Sequence, residues 1–207
     1  MSIYDVADKA VQEMNRLNLK AWNRLKMAKW DEISVIRAVG KVYDDSVQLA
    51  IRRYYEIALE AFIVALYQAN VPPPEATKMG AETINTDWVL EMLEEADPVT
   101  LYIFLTEAER KKQRLIETLA ATLNKNAEID KALKYWTMQI GQYADNSVYR
   151  ARLDAFRAVG IERVRWVTQE DNRVCTDCEP LDGQVFAIED VPPPQHYGCR
   201  CYLVPAD

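Results

Sequence analysis

The chain has 207 residues, 49% of them apolar and 28% charged, and its 25 Lys and Arg against 32 Asp and Glu leave a formal charge of -7 and a pI near 4.9. With only 6 Gly and 9 Pro, this composition excludes a disordered or fibrous chain and fits a folded, soluble protein of one large domain or two small ones. The acidic balance argues against a protein whose main task is coating nucleic acid, because that binding draws on many Lys and Arg contacts to phosphates.

The opening MSIYDVADKA carries Asp5 and Asp8 where a secretory signal has basic and then continuously apolar residues, so no export is expected. Residues 1–30 follow a helical pattern, with Trp22 and Trp30 set among Lys20, Arg24, Lys26 and Lys29. Aromatics interleaved with bases can meet a partner surface or phosphates; the preferred reading is that both tryptophans pack on a bundle while the lysines snorkel around them. After Asp31, Val39, Tyr43, Val47, Ala50, Tyr54, Ala58, Ala61 and Ala65 recur at steps of three and four, which predicts one long helix with a buried stripe. It stops at Asn70, before Pro72, Pro73 and Pro74. Its longest apolar stretch, Ala61 to Tyr67, falls far short of the roughly 20 residues that span a bilayer, so no membrane helix is expected.

A weaker helical region opens near Asp87, and at Asp97-Pro98 the sequence reads as an N-cap followed by a first helical residue. From there Leu101, Phe104, Leu105, Ala108, Leu115, Leu119 and Leu123 mark a helix to about Asn124, with Arg110, Lys111, Lys112 and Arg114 on its surface as a solvated face. Beyond Asn126, the stripe Leu133, Trp136, Ile140, Ala144, Val148, Ala151, Ala155 and Val159 predicts another long helix, and Gly160 is its natural stop. Residues 1–159 thus read as an antiparallel bundle of long helices, and 160–207 as a small β module, an α+β chain. In the module Arg163 to Thr168 and Cys199 to Val204 alternate with period two.

All 4 Cys and the single His lie in that module, as Cys175-Thr176-Asp177-Cys178 and His196-Tyr197-Gly198-Cys199-Arg200-Cys201. A CxxC turn places two thiolates on one tetrahedral ion, and a second ligand group further on closes the site. The pattern predicts a structural zinc knuckle or ribbon: Cys175 and Cys178 form the firm pair, and His196, Cys199 and Cys201 compete for the two remaining positions. On a strand Cys199 and Cys201 face the same side, with His196 in the turn before them. The metal would staple a module too small to bury much apolar surface alone. Disulfides and free thiols are the alternatives, the former disfavoured without export. A catalytic zinc would need an open position and a base, for which Asp177 and Glu179 are near in sequence, and a redox CxxC would need a βαβ setting that is missing around it. No enzyme is expected.

Taken in order, Trp166-Val167-Thr168, Asp171-x-Arg173-x-Cys175-x-x-Cys178, Leu181-Asp182-Gly183, Pro193-Pro194 and His196 to Cys201 resemble the phage head morphogenesis family typified by the Mu F-like minor head proteins. The resemblance covers the tail from Arg165 to Pro205 and falls on Asp171, Arg173, Cys175, Cys178, Gly183, His196, Cys199, Arg200 and Cys201. It implies a virion structural protein in several copies that acts with the portal protein, made in the host cytoplasm and placed inside the capsid near the portal vertex. There it would take part in head assembly and in packaging or ejection of double-stranded DNA, its helical region meeting the portal or the DNA. Some members carry arginine and histidine where this chain has Cys175 and Cys178, so the zinc inference rests on this chain's own thiols. Others carry toxin or enzyme domains after the motif, and none is expected in the few residues past Cys201. Two other readings stand beside this one: a zinc-stapled nucleic-acid-binding module on a helical scaffold, supported by Arg163, Arg165, Arg173 and Arg200, and a metal or thiol enzyme.

Overall fold

The computed structural model describes residues 3–28, 30–168, 176–196 and 198–206. The chain forms α1 (Ile3–Leu25), α2 (Glu32–Gln68), α3 (Pro73–Thr83), α4 (Thr86–Glu94), α5 (Phe104–Ala121) and α6 (Lys125–Ala158), followed by β1 (Arg163–Val167), β2 (Val185–Ala187) and β3 (Tyr202–Pro205). No helix among the described residues is long and apolar enough to cross a membrane.

The expected long helices form for local reasons that can be named. Asp31 caps α2 by accepting a hydrogen bond from the Ser34 amide at 3.0 Å, which satisfies one of the amides that the first turn leaves unpaired. At the other end Asn70 takes a left-handed φ of 62°, and the Val71 amide reaches back to the Leu66 carbonyl at 3.0 Å. Gly160 does the same for α6 with φ 72°, while the Ile161 amide returns to Phe156 O at 3.0 Å. The predicted stripe on α2 is buried except for Val47, which is half-buried.

One helix is absent from the sequence reading, and two local expectations are corrected. The prolines after Asn70 end one helix but also begin another: α3 starts at Pro73, where a missing amide and a fixed φ cost nothing in a first turn. Asp97 does not cap a helix. It is fully buried, and its carboxylate accepts from the amides of Val99 (3.1 Å) and Thr100 (2.6 Å) and from the Gln142 side chain (3.1 Å). That turn throws Leu101 to φ 60° and leaves it exposed, so α5 begins only at Phe104. It also ends earlier than expected, at Ala121, because Asn124 serves as the N-cap of α6.

Side-chain pairings fix the directions of the helices. Glu13 pairs with Arg53 and Trp22 packs edge-on against Tyr43, so α1 and α2 are antiparallel. Lys112 pairs with Asp44 and Phe104 packs on Tyr54, so α5 is antiparallel to α2. The two longest helices instead run parallel: Trp136 donates to Ser46 at 2.6 Å, Tyr54 to Ile140 O at 2.9 Å, and Arg152 to Gln68. The expectation of antiparallel packing therefore holds for α1 and α5 against α2, and not for α2 against α6, whose connection through three intervening helices frees them to align.

Trp22 is fully buried among Met14, Tyr43 and their neighbours, and Trp30 is 37% exposed with the Lys125 ammonium 5.7 Å above its ring, so these aromatics pack on the bundle as preferred. Within the basic run, Arg110 and Lys111 bind the buried Glu107, and Lys112 binds Glu109 and Asp44. Arg114 lies at a cleft described below.

After Gly160 the three strands form an antiparallel sheet of order β2-β1-β3, with Arg165 opposite Val185 and Trp166 opposite Leu203. The alternation read from the sequence holds on β1: Val164 and Trp166 are buried, Arg163 and Arg165 exposed. Val164, Trp166 and Leu203 join the same continuous core as the helices. The second expected strand is shorter than its alternation, since β3 begins at Tyr202 and Cys199 to Cys201 form the approach to it.

Candidate metal centre

The site is assembled from two turns. In the first, Cys178 precedes a single 3-10 turn, Glu179–Leu181, and its carbonyl accepts the Leu181 amide at 3.0 Å. The Leu181-Asp182-Gly183 segment then closes the loop: Gly183 takes φ 74°, a conformation that a side chain would strain, and donates its amide to Trp166 O at 2.9 Å. The Asp182 carboxylate accepts the Thr168 amide at 2.8 Å, tying the loop to the end of β1. In the second turn the Cys199 amide donates to His196 O at 3.2 Å around Gly198, whose φ is 69°.

These turns bring Cys178, His196 and Cys199 together, with their ligand atoms all within 4.8 Å of one another. Cys178 and Cys199 are buried, at 1% and 4% exposure, and His196 is half-buried. The two sulfurs stand 3.7 Å apart. A disulfide would put them at about 2.05 Å, whereas two thiolates on one tetrahedral zinc, each about 2.3 Å from the ion, are about 3.8 Å apart. Two sulfurs and an imidazole also form the donor set that suits zinc. The group therefore fits a metal.

Cys201 hydrogen-bonds to Cys199 and to Cys178. The contact with Cys201, opposed by burial, holds the Cys199 thiol below its ordinary value, while the Cys201 thiol is pushed up by the same contact and by burial. A thiolate at Cys199 is the form that ligates a cation. Cys175, the other half of the CxxC pair, lies outside the described residues, as do Asp171 and Arg173. Of the five predicted ligands, the structure thus gathers Cys178, His196 and Cys199 and sets the Cys201 thiol against the two cysteines.

The second half of α6 backs this site, which the sequence reading missed. Gln142 accepts the Gly198 amide at 3.4 Å and Tyr149 donates to Pro192 O at 3.1 Å. Arg152, 2% exposed, donates to Leu203 O and lies between the Phe156 and Tyr202 rings, 5.7 Å from each. Burial, reinforced by the charges of Asp8 and Cys199 and relieved by Arg200, pushes the Asp145 carboxyl up to about 8. A signal was available: Gln142 and Arg152 are buried polar residues, and Asp145 a half-buried one, close to the apolar stripe of α6, where a helix with only water beyond it would leave them exposed.

The geometry defines a class: a helical bundle whose last long helix carries a small sheet and a pocket of thiols and imidazole. Residues 111–204 match the family described as phage Mu protein F like protein. The matched span begins within α5 and takes in all of α6, so it is wider than the tail that carried the resemblance in the sequence. No curated protein and no solved structure matches the chain.

Proposed function

We propose that this protein is a minor structural component of a phage head, acting with the portal protein inside the capsid during head assembly and DNA packaging or ejection, and that it is not an enzyme. The observation that carries the reading is the Mu F-like match over 111–204, which holds the candidate metal centre together with the helix that supports it. In this reading the metal is zinc in a structural role: Cys178, His196 and Cys199 supply three ligands, and Cys175 or Cys201 supplies the fourth. Zinc would set the loop geometry between β1 and β3 and would supply no chemistry beyond that. The helices before residue 111 are the part that would meet the portal.

The test is quantitative mass spectrometry of purified, DNA-filled particles, with the portal protein as the copy-number reference. Presence at a fixed ratio, of the order of the portal count or lower, is expected. Absence from both filled particles and empty precursors would remove the head-protein reading and leave a metal-stapled binding module.

A further inference from the structure

We propose that the cleft between α5 and α6 is a binding site for a nucleotide unit, with Arg114 and Lys131 taking the phosphate and Tyr135 stacking on the base. The proposal stands independently of the head-protein reading. The cleft measures about 470 Å³ and lies on the far half of α5 and the near half of α6, with Leu115, Ala132 and the buried Tyr43 among its lining residues. A volume of that size suits a small organic ligand and is too confined for a duplex.

Its charge departs from that of the molecule. The chain as a whole carries -7, yet Arg110, Lys111, Arg114 and Lys131 all line this cleft, with Glu128 as the carboxylate among its lining residues. Arg110 and Lys111 are committed to Glu107, at 2.6 and 3.2 Å. Among the described residues Arg114 and Lys131 have no carboxylate within ion-pairing distance, so two cations from facing helices remain for an incoming anion. Tyr135 is 51% exposed, and the Lys111 ammonium sits 6.0 Å from its ring centre.

An acidic peptide would satisfy the cations but would leave the tyrosine face and the apolar lining unused. A phosphate attached to a flat ring uses all three: the guanidinium fork and the ammonium hold the oxygens, and the ring stacks on the exposed tyrosine. A free nucleotide and one unit of a single strand present this same chemistry.

The test titrates the full chain with thymidine monophosphate, a short oligothymidylate, inorganic phosphate and an oligoglutamate peptide. The variants are Tyr135→Ala and the double variant Arg114→Gln/Lys131→Gln, all at exposed or cleft-lining positions and checked for unchanged helical signal. The expected result is nucleotide binding weakened at least about fivefold by Tyr135→Ala, the loss of one stacked base. In the double variant it falls further, and for the oligonucleotide the salt dependence drops by about 0.7 in log–log slope, the loss of one neutralised phosphate. Equal affinity for monophosphate and oligomer assigns a free nucleotide; tighter oligomer binding assigns a strand. No nucleotide binding at millimolar concentration, unchanged binding in the double variant, or equal binding of oligoglutamate would each overturn the proposal.

Discussion

Asp145 carries the clearest single-residue consequence of the way the module sits on the bundle. It lies on α6 within electrostatic reach of Asp8, Asp97, Cys199 and Arg200, and burial with the neighbouring negative charges, only partly offset by Arg200, raises its carboxyl from 3.8 to about 8. A folded-state value above the unfolded one means that folding takes up a proton between the two. The contribution of Asp145 to stability therefore falls as pH rises from about 4 to about 8 and is level outside that window. Asp145→Asn removes the ionisable group while keeping the shape. We expect the variant to melt higher than the parent at pH 7 to 8, by at least about 2–4 °C for a gain of about 1 kcal/mol at this chain length, and to match it near pH 4. Thermal melts of both proteins across this range check the prediction, and parallel curves at every pH would refute it.

At the scale of elements, the loops between β1 and β3 differ in support from the strands themselves. Val164, Trp166 and Leu203 are held by the bundle core, and Arg152 grips the β3 backbone. Within the stretch from Cys178 to Cys201, β2 is held by its ladder on β1 and by the Ile188 amide on Glu162 O, whereas the two ligand-bearing turns are held by the Asp182 and Gly183 contacts to the end of β1, by single contacts from Gln142 and Tyr149, and by the cysteine–histidine pocket. Removing metal with a strong chelator should therefore leave the helical circular dichroism intact and raise amide exchange in the turns 178–184 and 192–201, with β1, β2 and β3 staying protected. Exchange that is unchanged throughout would mean that the metal contributes nothing to the fold. The sequence made much of this legible. The stripes on α2 and α6, the alternation of β1 and the spacing of Cys178, His196 and Cys199 each reflect a local rule, a period or a ligand separation. What it hid depended on contacts distant along the chain. Asp97 reads as a helix cap until Gln142, far along the chain, is seen to share its burial. The parallel course of α2 and α6 leaves no mark on either stripe, because a buried face looks the same whichever way its neighbour runs.

At the scale of the whole molecule, the question is whether the bundle can dispense with the module, and α6 gives the answer. Its second half buries Arg152, Ala155 and Phe156. Arg152 in turn spends one of its hydrogen bonds on Leu203 O and one ring contact on Tyr202, both in β3. In a chain cut after Gly160, that guanidinium would lose its carbonyl partner and its aromatic cover, and the apolar surface now facing Val164, Trp166 and Leu203 would meet water. A buried charge deprived of a partner and an opened apolar face both cost stability, each on the order of 1–3 kcal/mol or more. We expect the 1–160 fragment to remain helical but to unfold at a lower denaturant midpoint than the full chain, and to self-associate through the uncovered face. Denaturant titration with sedimentation analysis measures both. An unchanged midpoint in a monomeric fragment would mean that bundle and module are energetically separate; a lowered one means that the module completes the core of the bundle.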